Sequence, residues 1–191
     1  MSTTATLQEG QFIIQNCRIG YPKLYVAKAM ENDATSKPRF GCQIYLPKSD
    51  EATKAKLDTY VAKLVKEKLK NVKPKSKDLC IKDGDGEDGD EHTKGYWIIS
   101  ANRAEGQGRP QVVDRKNKAI DSTESSTVYA GCFCNFMVSL YVPKKGNTNQ
   151  ISACLEIVQK VKDGDAFGAP RVAAEDVMPE LADDDEDGGF E

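Results

Sequence analysis

Cations and aromatic rings are interleaved along several stretches of this chain. Arg39 flanks Phe40 and Tyr45, Trp97 and Arg103 have the parity of one strand face, and Lys144 and Lys145 follow Phe133 and Tyr141. A ring offers a flat face on which an unstacked nucleobase can lie, worth roughly 1–3 kcal/mol per base, while Lys and Arg take the phosphates. Any β-core also contains aromatics, so each ring taken singly reads equally well as packing. The signal is the ensemble.

The charge is divided along the chain. From Glu175 to Glu191 there are nine acids, no cation and a near-terminal aromatic, Phe190. The whole chain has 27 Lys+Arg against 30 Asp+Glu; with nine acids set aside, residues 1–174 keep 27 cations against 21 acids, a net of +6. A block of like charge repels itself and stays unfolded, and such blocks serve as interaction tails. Asp183, Asp184, Asp185, Glu186, Asp187 and Phe190 are its candidate contact residues. A basic body favours polyanions, and this tail mimics one. A solubilising tail without a partner is the alternative.

Other chemistries are poorly supplied. No phosphate-binding Gly-rich loop, dinucleotide fingerprint or zinc-protease pair is present. The single histidine, His92, lies in an acidic loop, which disfavours Ser-His or Cys-His catalysis. The loop Asp83–Glu91 alternates acids at 83, 85 and 87. It places Asp88 and Lys94 where a helix-loop-helix calcium site needs Gly and Glu, so a solvated, mobile loop is expected. Cys17, Cys42, Cys80, Cys132, Cys134 and Cys154 form no C-x-x-C pair and read as buried, reduced thiols. No cofactor or metal is expected. No apolar run approaches the roughly 20 residues that span a bilayer, and no secretory signal opens the chain, so a cytoplasmic protein without membrane contact is expected.

The elements that would position these residues are mainly β. Gln11–Ile19 and Leu24–Met30 alternate apolar and polar residues on either side of a turn at Gly20-Tyr21-Pro22. Arg39–Leu46 puts Phe40, Cys42, Ile44 and Leu46 on one face and Gly41, Gln43 and Tyr45 on the other. Ser49 or Asp50 caps a helix running to about Lys70, with Leu57, Val61, Leu64 and Val65 as its apolar stripe. Lysines 54, 56, 63, 66, 68 and 70 lie on or beside its polar face, which reads most simply as solvated. A basic connector over 72–78 follows, then strands at 79–82, 95–103, 111–114, 128–142 and 151–162. Cys132, Cys134, Phe136, Val138, Leu140 and Val142 form the core face of the longest one. Short antiparallel strands with one inserted helix make a small barrel.

The stretches Arg109–Arg115, Val128–Cys132 and Leu155–Gly168, with Tyr21–Tyr25 and Tyr45–Lys48, resemble a family of bacteriophage single-stranded DNA-binding proteins. Together they cover most of residues 11–168, in order. The resemblance implies an oligonucleotide/oligosaccharide-binding (OB) type antiparallel barrel, binding of single-stranded DNA during phage replication and recombination, and no enzymatic activity. It also implies replication partners, polymerase or helicase, reached through the acidic tail, and leaves a homodimer open. Glu191 departs from tails that end on the aromatic itself. The organisation expected is a flexible residue 1–10 arm, an OB domain over 11–168 and a disordered acidic tail over 169–191. Stacking would fall to a subset of Tyr21, Tyr25, Tyr45, Trp97, Phe133 and Tyr141. Phosphates would meet a subset of Lys23, Lys28, Arg39, Arg103, Arg109, Arg115, Lys144 and Lys145. Parity does not say which face is the groove. The residues alone leave two alternatives, an RNA-binding or chaperone barrel and an acidic-tailed protein adaptor.

Overall fold

The structure, a computed structural model, describes residues 6–29, 35–86, 91–145 and 148–168. The two strands expected on either side of Gly20-Tyr21-Pro22 are one long strand, β1 (Gln11–Lys28). Its pairing slips by three residues between Lys23 and Lys28, and by a single residue at two other places, between Ile14 and Cys17 and between Gly20 and Lys23. The single extra residues are absorbed at Asn16 and Tyr21, both at positive φ. Such bulges bend a strand and increase its twist. β1 can therefore pair with β2 (Arg39–Pro47) along one edge and with β6 (Phe133–Tyr141) along the other.

The remaining strands are β3 (Ile81–Asp83), β4 (Tyr96–Ala104), β5 (Gln111–Val113) and β7 (Ser152–Lys162). Strand order is β3-β4-β2-β1-β6-β7-β5, and a parallel contact of β4 with β7 at Ala101 and Ala153 closes the ring. The closed set is β1, β2, β4, β7 and β6, a five-stranded barrel of OB type. β3 and β5 extend the seam on either side of that contact.

The inner face is apolar. Ile14, Ile19, Ile44, Leu46, Ile99, Phe136, Val138, Leu155 and Val158 are fully or almost fully buried. Helix α1 (Glu51–Glu67) covers one barrel end. Leu57 and Leu64 are buried, and Tyr60 packs edge-on against Phe12 of β1 at 5.5 Å. Asp50 caps it by accepting from the Thr53 N–H. The helix stops short of Lys70 because Lys70 and Asn71 turn to positive φ and the Asn71 N–H reaches back to the Val65 carbonyl. Val112, Ile120 and Val128 join the core at the other end, where the Tyr25 hydroxyl donates to the Ile120 carbonyl.

The start of the acidic loop is tied down, while residues 87–90 of it lie outside the described residues. Lys48 lies 2.5 Å from both Asp83 and Asp85, and Asp85 accepts from the Gly95 N–H. Among the described residues no His/Cys/Asp/Glu group could hold a metal ion, and no helix is long and apolar enough to cross a membrane.

Candidate nucleic-acid interface

β2 and β4 pair without interruption from Arg39–Ala104 to Pro47–Tyr96. Directly paired residues share a sheet face. Cys42 with Ala101 and Ile44 with Ile99 point into the barrel and are buried. Gly41 with Asn102 and Gln43 with Ser100 therefore lie on the outside. That outer floor is small and polar, in contrast to the apolar inner one. β1 supplies its flank, since Lys23 pairs with Gly41 and Lys28 with Arg39. All three cations are exposed, and none enters an ion pair among the described residues.

An aromatic recess of about 410 Å³ sits at one end of this floor, lined by Tyr21, Tyr45, His92, Ala130, Phe167 and Gly168. Tyr21 is 63% exposed and held at φ 45°. A bulky residue at positive φ is uncommon and requires support from its surroundings. Beside the recess, the Arg18 guanidinium lies 4.3 Å from the Phe167 ring centre and 5.8 Å from that of Phe133. Arg18 also donates to the carbonyls of Gly131 and Asp165. These bonds tie residues 163–168, which follow β7, back onto the barrel. Gly131, at φ 109°, permits this, because a Cβ there would strike the Asp165 carbonyl.

The opposite end of the floor opens into a recess of about 120 Å³ that includes Arg39, Lys77, Ser100, Asn102, Tyr141 and Ser152. Tyr141 is 41% exposed, and Lys144 and Lys145 are exposed in the β6–β7 loop beyond it.

Tyr21, Lys23, Lys28, Arg39 and Tyr141, with the nearby Lys144 and Lys145, thus border one face. Other candidates lie elsewhere. Tyr45 shares the face but is 1% exposed, with its ring edge-on to Tyr96 and Phe167, so it supports the recess from below. Trp97 pairs with Leu46 on the inner side, under α1, with the Lys48 and Lys54 ammonium groups 4.8 and 4.1 Å from its ring centre. Arg103 is also on the inner side and is fully engaged, with Glu156 at 2.6 Å and the carbonyls of Gln107 and Gly108. Tyr25 is half-buried at the barrel end with Arg109 over its ring, and burial raises its phenol pKa. Arg115 sits on the exposed turn after β5. Phe133 is on the outer side of β6, between Arg18 and the Lys162 ammonium at 4.5 Å. Asp183, Asp184, Asp185, Glu186, Asp187 and Phe190 lie outside the described residues.

The sequence reading missed Arg18, Gln43, Ser100, Asn102 and Phe167. For Gln43 and Ser100 a signal existed, since both have polar parity on strands whose other parity is apolar. For Arg18 it was hidden by the bulge at Asn16, which breaks the alternation. Burial pushes the Cys17 and Cys80 thiols up to about 12.

Comparison with known proteins places the chain in a family. A family model described as the ssDNA-binding protein of Enterobacter phage Enc34 matches residues 10–188. Putative protein p50 of Acyrthosiphon pisum secondary endosymbiont phage 1 is 24% identical over 178 residues, covering 88% of this chain and 92% of its own. The solved single-stranded DNA-binding protein of bacteriophage Enc34, in complex with ssDNA, superposes with a TM-score of 0.73 at 25% identity, over 84% of this chain and 91% of that one. The single-stranded DNA-binding protein gp2.5 of bacteriophage T7 shares the fold, with a TM-score of 0.50 at 18% identity over 91% and 99% of the two chains.

Proposed function

The chain belongs to the Enc34 phage single-stranded-DNA-binding protein family, and we propose from that premise that it coats single-stranded DNA during phage replication through the outer face of β1, β2 and β4. In OB barrels the face of the second and third strands, with the loops joining strands one to two and four to five, is where oligonucleotides bind. Here those strands are β2 and β4, and the second loop is the one holding Lys144 and Lys145. The observation that supports this reading most is the register that sets Lys23, Lys28 and Arg39 beside a floor of Gly41, Gln43, Ser100 and Asn102. The floor is small enough for a sugar-phosphate strand to approach, and the cations meet phosphates. Tyr21 and Tyr141, at the two ends, offer ring faces to bases. Stacking on rings and phosphate contacts of this kind are sequence-tolerant.

The same proposal gives the acidic tail two roles. Gly168 lines the aromatic recess at the edge of the DNA face, and the acidic segment follows it in sequence. Carboxylates tethered there reach local concentrations on the order of millimolar and compete with DNA. When DNA displaces them, Phe190 and its acidic neighbours become available to a replication polymerase or helicase in the host cytoplasm. No catalytic step is assigned to the chain.

Titration of oligo-dT, a matched RNA oligomer and duplex DNA across salt tests the main reading. Affinity for oligo-dT is expected to exceed that for duplex and to fall linearly in log–log form, by about 0.7 per phosphate neutralised. A flat salt response, or a preference for duplex, defeats it. Preference for the RNA oligomer transfers the function to RNA.

A further inference from the structure

A second basic surface adjoins the proposed groove. Beyond Glu67 the chain runs through Lys68, Lys70, Lys73, Lys75 and Lys77, all exposed and none in an ion pair among the described residues. The consecutive positive-φ residues Lys70 (50°) and Asn71 (65°) fold this connector across the end of β6. Between them lies a cavity of about 780 Å³ with an apolar floor of Leu64, Leu69, Leu140 and Val142 and a rim that includes Lys68, Lys70 and Lys144. Among the described residues no acidic side chain lines it. Val72, 56% exposed, also borders it.

Tyr141 lines both this cavity and the smaller recess at the end of the groove. That recess contains Ser100 and Asn102 from the groove floor, together with Arg39, Lys77 and one acid, Asp78. The surface is therefore continuous: groove floor, Arg39 and Lys77, Tyr141, then the cavity edged by Lys68 and Lys70. Basic rim, apolar floor and an exposed ring at the junction match the chemistry of single-stranded nucleic acid, whose bases need apolar or aromatic cover and whose phosphates need cations.

We propose that the connector Lys68–Lys77, with Tyr141 as the turning point, is a second single-strand contact surface that carries the strand out of the groove and past the end of α1. The proposal rests on the single-stranded DNA reading above and extends it from a short groove to a longer occluded site. Lys68 and Lys70, which read as merely solvated beside the helix, are thereby given a ligand.

The experiment uses the full chain, oligo-dT of about 6 and about 16 nucleotides, near the short and long ends of the site sizes per OB fold, and a salt series. The variant Lys68→Gln/Lys70→Gln/Lys73→Gln changes only exposed side chains outside the groove recess, and its thermal melt should match the parent. The short oligomer, held by the groove, should bind both proteins alike. The long oligomer should bind the variant more weakly, with a log–log salt slope smaller by about 2, from 0.7 for each of three lysines. Tyr141→Ala should weaken the long oligomer by at least about fivefold and Tyr141→Phe should restore it, since stacking needs the ring and not the hydroxyl. An unchanged salt slope for the long oligomer overturns the proposal. So does a variant that binds the long oligomer more tightly, which would mean that the cavity takes an acidic peptide such as the chain's own tail. The groove reading fails separately, if Lys23→Gln/Arg39→Gln leaves the short oligomer unaffected.

Discussion

Gly20 provides the sharpest test of how the interface is built. Tyr45 was an attractive stacking ring on sequence grounds, yet the fold buries it to 1% exposure beneath the recess. It fits there because Gly20, in the neighbouring strand, has no side chain. A Cβ at Gly20 would stand 2.6 Å from the Tyr45 hydroxyl oxygen and 2.8 Å from the ring carbon bearing it. Ordinary contact needs about 3.5–4.0 Å. The ring must therefore retreat by about 1 Å, and it is hemmed in by Tyr96 at 5.9 Å and Phe167 at 5.0 Å between ring centres. Its hydroxyl is also bonded to Gln43 at 3.2 Å. Overpacking of this kind costs about 1–3 kcal/mol. With a urea m-value of about 1–3 kcal/mol/M, Gly20→Ala should lower the midpoint by roughly 1 M. In the double variant Gly20→Ala/Tyr45→Leu, part of that loss should return, because the clash partner is gone. Tyr45→Phe should leave oligo-dT affinity within twofold of the parent, about 0.4 kcal/mol by the thermal energy scale. The reasoning is refuted if Gly20→Ala is neutral in urea, or if Tyr45→Phe weakens DNA binding while stability is unchanged.

Trp97, the sole tryptophan, lies on the inner side beneath α1, so its fluorescence should not respond to oligo-dT; strong quenching with unchanged stability would place the groove on another face. Arg103→Gln should destabilise by about 1–3 kcal/mol, since Glu156 loses its cation and two carbonyls lose their donor, and chemical denaturation reads this directly. Hydrogen bonds from Lys48 hold the Asp83 and Asp85 carboxyls below the ordinary value of 3.8. Their contribution is complete above that value and disappears as pH falls through the lower folded values, so Asp83→Asn/Asp85→Asn should flatten the acid limb of a melting-temperature profile. A chain ending at Arg171 should bind oligo-dT more tightly than the full chain at low salt, with the gain shrinking as salt rises; equal affinity at every salt would leave the tail no role in competition.

Much of the barrel was legible from the chain alone because alternation is a local property. Phe40–Leu46 and Cys132–Leu140 each separate an apolar parity from a polar one, and the barrel interior takes the apolar parity of both. A cap at Ser49 or Asp50 before a 3.6-period stripe specified α1, and the structure selects Asp50. The reach of that stripe was overestimated, because the stop lies in backbone φ at Lys70 and Asn71, which side-chain pattern does not encode. The split of charge between body and tail, and the family resemblance, were likewise readable without coordinates. Tertiary structure decided what depends on residues far apart in sequence. Whether an aromatic of polar parity is free or covered depends on what crosses it, and Phe167, more than a hundred residues on, covers Tyr45. Whether a cation is available depends on its partner, and Glu156 removes Arg103 from the phosphate set. Bulges at Asn16 and Tyr21 reset the parity of β1, so which side of that strand faces outward was not a matter of counting. Closure of β4 on β7 brings Arg39, Ser100 and Tyr141 to one recess, a proximity set by strand order and register, which local pattern leaves open.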